Sequence, residues 1–185
     1  MKKTVVILLL MFFCCSYYCS HAQLYFTKNG RISFFSKTSL ENISADNNQV
    51  LSVVNMETGA LQFSLLNNAF YFPKAKMQED FNENYMESDK YPKSNFKGII
   101  TNISSVNVSQ DANYIIHVKG DLTIHGVTKN INADGNLIIK NGNISATASF
   151  KVLLTDYKIK IPTIVTDKIA RDIAVTIRCN YEKKL

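Results

Sequence analysis

From Leu24 onward, apolar residues alternate with polar ones in short runs, the two-residue period of a half-buried strand. Leu24 to Thr27, the turn Lys28-Asn29-Gly30, and Ile32, Phe34 and Ser36 in alternation predict an opening hairpin. Leu40 to Asn48 is polar and loop-like. Leu51 and Val53 follow, with a turn at Glu57-Thr58-Gly59 and then Leu61, Phe63 and Leu65, a second predicted hairpin. Phe70 and Phe72 end an extended piece before Pro73. Further on, Phe96, Gly98 and Ile100 alternate, then Val106 and Val108. Tyr114, Ile116, Val118, Gly120, Leu122 and Ile124 run to a turn at His125-Gly126. Ile131, Ala133 and Leu137 lead to another at Lys140-Asn141-Gly142. The longest alternation is Ile144, Ala146, Ala148, Phe150, Val152 and Leu154. A helical turn at Asp167 to Arg171 and a last strand from Ile173 to Tyr181 complete the pattern.

One segment departs from it. Between Lys74 and Glu87 there is no glycine or proline, and Met77, Phe81 and Tyr85 recur every four residues. That spacing puts them on one face of a short amphipathic helix, with Glu79, Asp80, Glu83 and Glu87 largely elsewhere. Tyr91-Pro92 lies beyond its end. Eight to ten half-buried strands joined by short turns, with one helix, predict an all-β antiparallel fold that closes as a barrel or a sandwich. An eight-stranded barrel is either filled by its own side chains or holds one small ligand. Small inward residues such as Gly98, Ala146 and Ala148 lean toward a space.

The first 22 residues stand apart. Lys2 and Lys3 precede the apolar run Val5 to Phe13, and Ser20 and Ala22 occupy the positions before a cut at Gln23. The run is short for a membrane span of about 20 residues. It reads as a cleaved secretory signal, leaving one domain over 23–185 in the periplasm or outside the cell. No cysteine in it has the small preceding residue of a lipoprotein site. Three of the four cysteines leave with the signal, so Cys179 is alone and no internal disulfide can form. Its place in the alternation Ile173, Val175, Ile177, Cys179 makes it a small buried hydrophobe.

With 185 residues, 46% of them apolar and 19% charged, the chain has ordinary globular composition. Charge is uneven: residues 23–90 carry 6 basic and 8 acidic side chains, and 91–185 carry 13 and 7. The lysines are scattered singly along strands, so nucleic acid is not an expected partner. Only His117 and His125 remain after Gln23. On an extended chain they stand roughly 26 Å apart at about 3.3 Å per residue, too far to share a metal. His117 should face solvent between inward Ile116 and Val118, and His125 should sit in a hairpin turn. Neither has a neighbouring serine, cysteine or carboxylate pair in sequence, so no catalytic residue and no cofactor is expected. The acidic run Glu79 to Asp89 lacks calcium-loop spacing and reads as a solvated helix face.

Four blocks carry a resemblance: Phe70 to Met77 (FYFPKAKM), Phe81 to Phe96 (FNENYMESDKYPKSNF) with Gly98, Gly120 to Lys129 (GDLTIHGVTK), and Phe150 to Pro162 (FKVLLTDYKIKIP). In these the chain resembles the YceI-like family of periplasmic proteins from about Gly30 to Arg178. The resemblance implies a lipocalin-like barrel of about eight strands, with a helix over one end and an elongated lumen for polyisoprenoid or similar long-chain lipid. It brings no catalytic residues. The expected lumen wall is Phe34, Phe63, Phe70, Phe72, Phe96, Ile116, Val118, Ala146, Ala148, Phe150 and Val152. Two readings stay open: an exported carrier of an isoprenoid-like lipid, and a filled barrel acting in the cell envelope as a non-enzymatic interaction module. A homodimer is also left open.

Overall fold

A computed structural model describes residues 23–183. Eight strands form one closed, entirely antiparallel barrel. They are β1 (Leu24–Lys37), β2 (Asn42–Asn55), β3 (Ala60–Leu66), β4 (Lys93–Ile100), β5 (Ala112–Ile124), β6 (Val127–Lys140), β7 (Asn143–Leu153) and β8 (Asp172–Lys183). Each strand pairs with its neighbour in sequence, and β8 returns to β1, with Phe34 opposite Val175. Closure removes the edge strands of an open sheet, although residues 42–50 of β2 run past β3 and meet only a bridge from Asp46 to Tyr71 on that side. The expected leader, residues 1–22, lies outside the described residues.

The expected opening hairpin does not exist. β1 runs straight through Lys28-Asn29-Gly30, and its pairing with β2 slips between Thr27 and Gly30 and again before Ile32. A bulge of this kind inserts an extra residue and bends the strand, as closure of a barrel requires. It also flips the inward parity: Tyr25 and Thr27 point in before it, Gly30 and Ile32 after it. β2 flips at the same level, from Ala45 and Asn47 to Val50, Ser52 and Val54. Leu51 and Val53, the apolar pair that suggested a strand there, therefore face outward.

Leu40 to Asn48, expected as a loop, is mostly strand. Its inward positions include Asn47, fully buried, whose Nδ2 donates to the Leu66 carbonyl at 2.9 Å. That bond offsets the cost of burying an amide. Val106 and Val108 belong to a loop with a short 3-10 turn (Ile103–Ser105), packed over the end of the barrel instead of alternating in a strand. The turn expected at 167–171 lies slightly earlier, at Thr163–Val165.

The predicted helix forms as α1 (Ala75–Asp80) and then widens into a π-turn, Phe81–Tyr85. Such a wide turn changes which side chains point inward, and here Met86 joins the buried set. The long β3–β4 and β7–β8 connections, the β1–β2 turn and the β5–β6 turn all lie at one end of the barrel, the mouth end. Both strand termini and the 101–111 loop lie at the other. Among the described residues no helix is long and apolar enough to cross a membrane.

Candidate functional site

The interior divides into a packed floor and a vacancy. At the floor Tyr25, Val54, Met56, Leu137, Ile139 and Ile144 are buried together, with Ile103, Val106 and Val108 packed against them from the loop. Above them a cavity of about 410 Å³ runs to the mouth end, within the usual range for small-molecule sites, roughly 300–1,000 Å³. Its wall includes Ile173, Val175, Ile177 and Tyr181 of β8. Eight residues at about 3.4 Å, tilted about 40°, make the cavity roughly 20 Å long.

All eleven residues named from the sequence face this cavity. Phe34, Phe70 and Phe72 gather near the mouth. Phe34 stacks on Phe81 with ring centroids 5.6 Å apart, and Phe81 meets Phe72 at 5.0 Å and Phe70 at 5.5 Å. Phe63 and Phe96 make an edge contact at 6.3 Å lower down. Phe96 lies across Gly98 and Gly120, which face each other in the sheet. A Cβ on either glycine would come within 2.7 Å of the ring. Gly98 therefore seats a phenylalanine; it does not open a space. Space arises elsewhere, where Ala133 on β6 and Ala146 and Ala148 on β7 present small side chains to the lumen.

Sequence reasoning missed several wall residues. Met77, Phe81 and Tyr85 all turn their shared helical face into the lumen, which their spacing announced. Ile173, Val175 and Ile177 also alternate in sequence. Leu154 ends the alternation that began at Ile144, whereas Ile159, Val165 and Ile169 come from the irregular connection that follows, where no periodicity marks the inward side. The polar members gather mainly toward the mouth: Ser36, Glu41, Asn67, Asp80, Ser94, Asn95 and Lys168. Glu41 pairs with Lys74 at 3.1 Å, and Asp80 with Lys76 at 3.0 Å.

The cap over the mouth is pinned by side chains from three segments. His125 and Gly126 form the β5–β6 turn, both with positive φ (50° and 71°). At Gly126 a Cβ would come within 2.5 Å of the Tyr91 ring. The His125 ring is nearly buried and packs edge-on against Tyr91, with Nε2 2.7 Å from the Glu87 carboxylate and Nδ1 3.1 Å from the Tyr157 carbonyl oxygen. Asn67, fully buried, donates to the Tyr91 carbonyl at 2.6 Å and accepts from Ser94 at 2.8 Å. The Gly-Asp-Leu-Thr-Ile-His-Gly and Tyr-Pro blocks are thus two sides of one joint. His117 stays in solvent, accepting or donating through Nδ1 with Asp134 at 2.7 Å.

Burial suppresses ionisation of two side chains of the floor. Burial pushes the Cys179 thiol up from 9.0 to about 11, and burial likewise raises the Tyr181 hydroxyl, which shares a 2.8 Å hydrogen bond with Ser52. Both are neutral at ordinary pH. Among the described residues, no group of three His, Cys, Asp or Glu side chains is placed to hold a metal.

A closed antiparallel barrel with a capped apolar lumen is a lipocalin-like architecture. The YceI-like domain description matches residues 17–181, and the chain belongs to that family. Among solved structures, a polyisoprenoid-binding domain from Saccharophagus degradans superposes with a TM-score of 0.77 at 13% identity, covering 88% of this chain and 99% of that one. Burkholderia cenocepacia BcnA gives 0.65 at 10% identity, covering 83% and 96%. The Campylobacter jejuni YceI protein gives 0.54 at 17%, covering 85% and 86%. Identities this low speak to the fold. No protein of curated function matches the chain in sequence.

Proposed function

We propose that this chain is an exported, non-enzymatic carrier that holds a long-chain apolar lipid of the isoprenoid kind in its barrel. One observation carries the reading: the elongated cavity of about 410 Å³ lined by aliphatic and phenylalanine side chains. At about 30 Å³ per water- or methylene-sized group this is room for roughly fourteen such groups, or about three five-carbon isoprene units. Burial contributes about 0.8 kcal/mol for each methylene-sized group. Affinity should therefore climb with chain length until the lumen is full, with the headgroup secondary. The polyisoprenoid-binding domain among the solved neighbours supports the same ligand class. The basic start and apolar run of residues 2–13 support export to the periplasm or beyond. The cavity favours this reading over its rival, a filled barrel that acts only through its surface.

The test is native mass spectrometry of the exported protein, followed by organic extraction of whatever is bound. A stoichiometric apolar adduct, or uptake of added prenyl alcohols that tightens with each isoprene unit, is expected. A clean unliganded mass together with no uptake would overturn the carrier reading.

A further inference from the structure

The mouth has two unlike flanks. On one, the 74–90 segment carries Glu79, Asp80, Glu83, Glu87 and Asp89 against Lys74, Lys76 and Lys90. The other consists of the β1–β2 turn, the end of β7 and the 154–171 connection. There Leu40 is 67% exposed and Ile164 is 90% exposed, the most exposed large apolar side chain among the described residues. Each sits beside a residue of the cavity wall, Glu41 and Val165. Phe35 and Leu153, both outward near the same ends of β1 and β7, extend the apolar rim down the wall. The same segments carry the exposed cations Lys37, Lys158, Lys160, Lys168 and Arg171, none in an ion pair among the described residues, and the Ala170 N–H donating to Ser36 Oγ at 2.8 Å joins the 154–171 connection to the end of β1. Only Asp156 and Asp167 oppose them without a partner of their own, since Asp172 is held by Lys151 at 2.7 Å.

Exposed apolar side chains and unpaired cations on the same segments are the chemistry that binds an anionic bilayer: the apolar side chains enter the headgroup layer and the lysines meet lipid phosphates. We propose that this flank docks on an anionic membrane surface, so that the opening of the lumen faces the bilayer while the acidic helix is turned away from it. Charge complementarity selects this occupant over a two-fold pairing of the flank with itself, which would bring like charges together, and the sedimentation below tests a head-to-tail pairing with the acidic segment of a second copy. Continuity with the mouth gives docking a use, because a lipid could pass between bilayer and lumen with less of its chain crossing water.

The inference goes beyond the carrier reading and can fail independently of it. The barrel from Gln23 on, which holds its own closed core, is floated with vesicles of phosphatidylcholine alone and of phosphatidylcholine with phosphatidylglycerol. Starting at Gln23 keeps the apolar run at 5–13 from binding lipid by itself. Binding is expected only to the anionic vesicles and should weaken as salt rises. Leu40→Glu with Ile164→Glu, and separately Lys158→Glu with Lys160→Glu, should each weaken it by about tenfold or more, at roughly fivefold per lysine charge removed. Ile115→Glu, at a position 66% exposed near the other end, should leave it unchanged. All these positions are on the surface, so melting curves should coincide with that of the unsubstituted barrel. Uptake of a prenyl alcohol from detergent, without vesicles, should be normal in every variant, which separates docking from lumen binding. Failure to float with anionic vesicles would overturn the proposal. So would equal flotation of all variants, or sedimentation showing that the same substitutions break a dimer without changing lipid binding.

Discussion

The floor and the lumen of this barrel share one wall, one strand order and one inward alternation, yet one is packed and the other vacant. At the floor the inward positions hold Tyr25, Val54, Leu137, Ile139 and Ile144, and a loop folds over them. A few residues along the same strands they hold Ala133, Ala146 and Ala148, and the phenylalanines that share the wall leave a cavity beside them. Interiors pack densely by default. A vacancy of this kind is made by side-chain size at particular positions, with the backbone unchanged. The same chain keeps its stability in one half and a space in the other.

The comparison can be broken most severely at the floor. Ile144 is 2% exposed and lies off the cavity wall. Ile144→Ala should destabilise the barrel by about 3 kcal/mol or more in urea unfolding. Phe63→Ala, at a wall already facing empty space, should cost clearly less, and equal costs would mean that the lumen is filled in solution. Next comes filling the vacancy: Ala148→Trp should weaken prenyl-lipid uptake by about a hundredfold, or about 2.7 kcal/mol, with little loss of stability. Unchanged uptake would place the lipid elsewhere.

A smaller effect concerns the buried thiol. Cys179 has its folded-state value raised from 9.0 to about 11. Its contribution is fully present below pH 9, where the thiol is neutral folded or unfolded. It is lost as pH rises toward 11, because the unfolded chain ionises first. The barrel should lose on the order of 2 kcal/mol across that window, and Cys179→Ala should flatten the decline. Tyr181, raised by the same burial, adds a further loss above pH 10. The smallest effect is at the cap. His125→Gln keeps a side chain near Glu87 and the Tyr157 carbonyl but cannot reach both, and should cost about 1–2 kcal/mol. Hydrogen exchange should rise in residues 81–91 and not in the floor strands.

Much of this was legible beforehand, and where it was not the reasons are local. β5 to β8 read correctly because their alternation is unbroken: Tyr114 to Ile124 and Ile144 to Val152 each keep one parity from end to end. β1 and β2 misled because bulges reverse the parity midway, so Leu51 and Val53 advertise a face that is in fact outside. Asn47 and Ala45 hid the inward face of β2, since a buried amide with a backbone partner looks like loop sequence. The lumen residues on strands were visible for the same reason as the strands. Ile159, Val165 and Ile169 were not, because an irregular connection has no period from which an inward side could be inferred.

Alternation, turn residues and the spacing of Met77, Phe81 and Tyr85 are chain-local properties, and from them alone an all-β antiparallel fold, barrel or sandwich, with one amphipathic helix follows. Whether that barrel is full depends on which side chains meet across it. That is a sum over residues far apart in sequence: alanines on β6 and β7 facing phenylalanines from β1, β3 and the cap. Only closure of β8 onto β1 brings those residues to one axis. The joint of His125, Glu87, Tyr91 and Tyr157 is set the same way, because hydrogen bonds spanning up to 38 positions have no local signature.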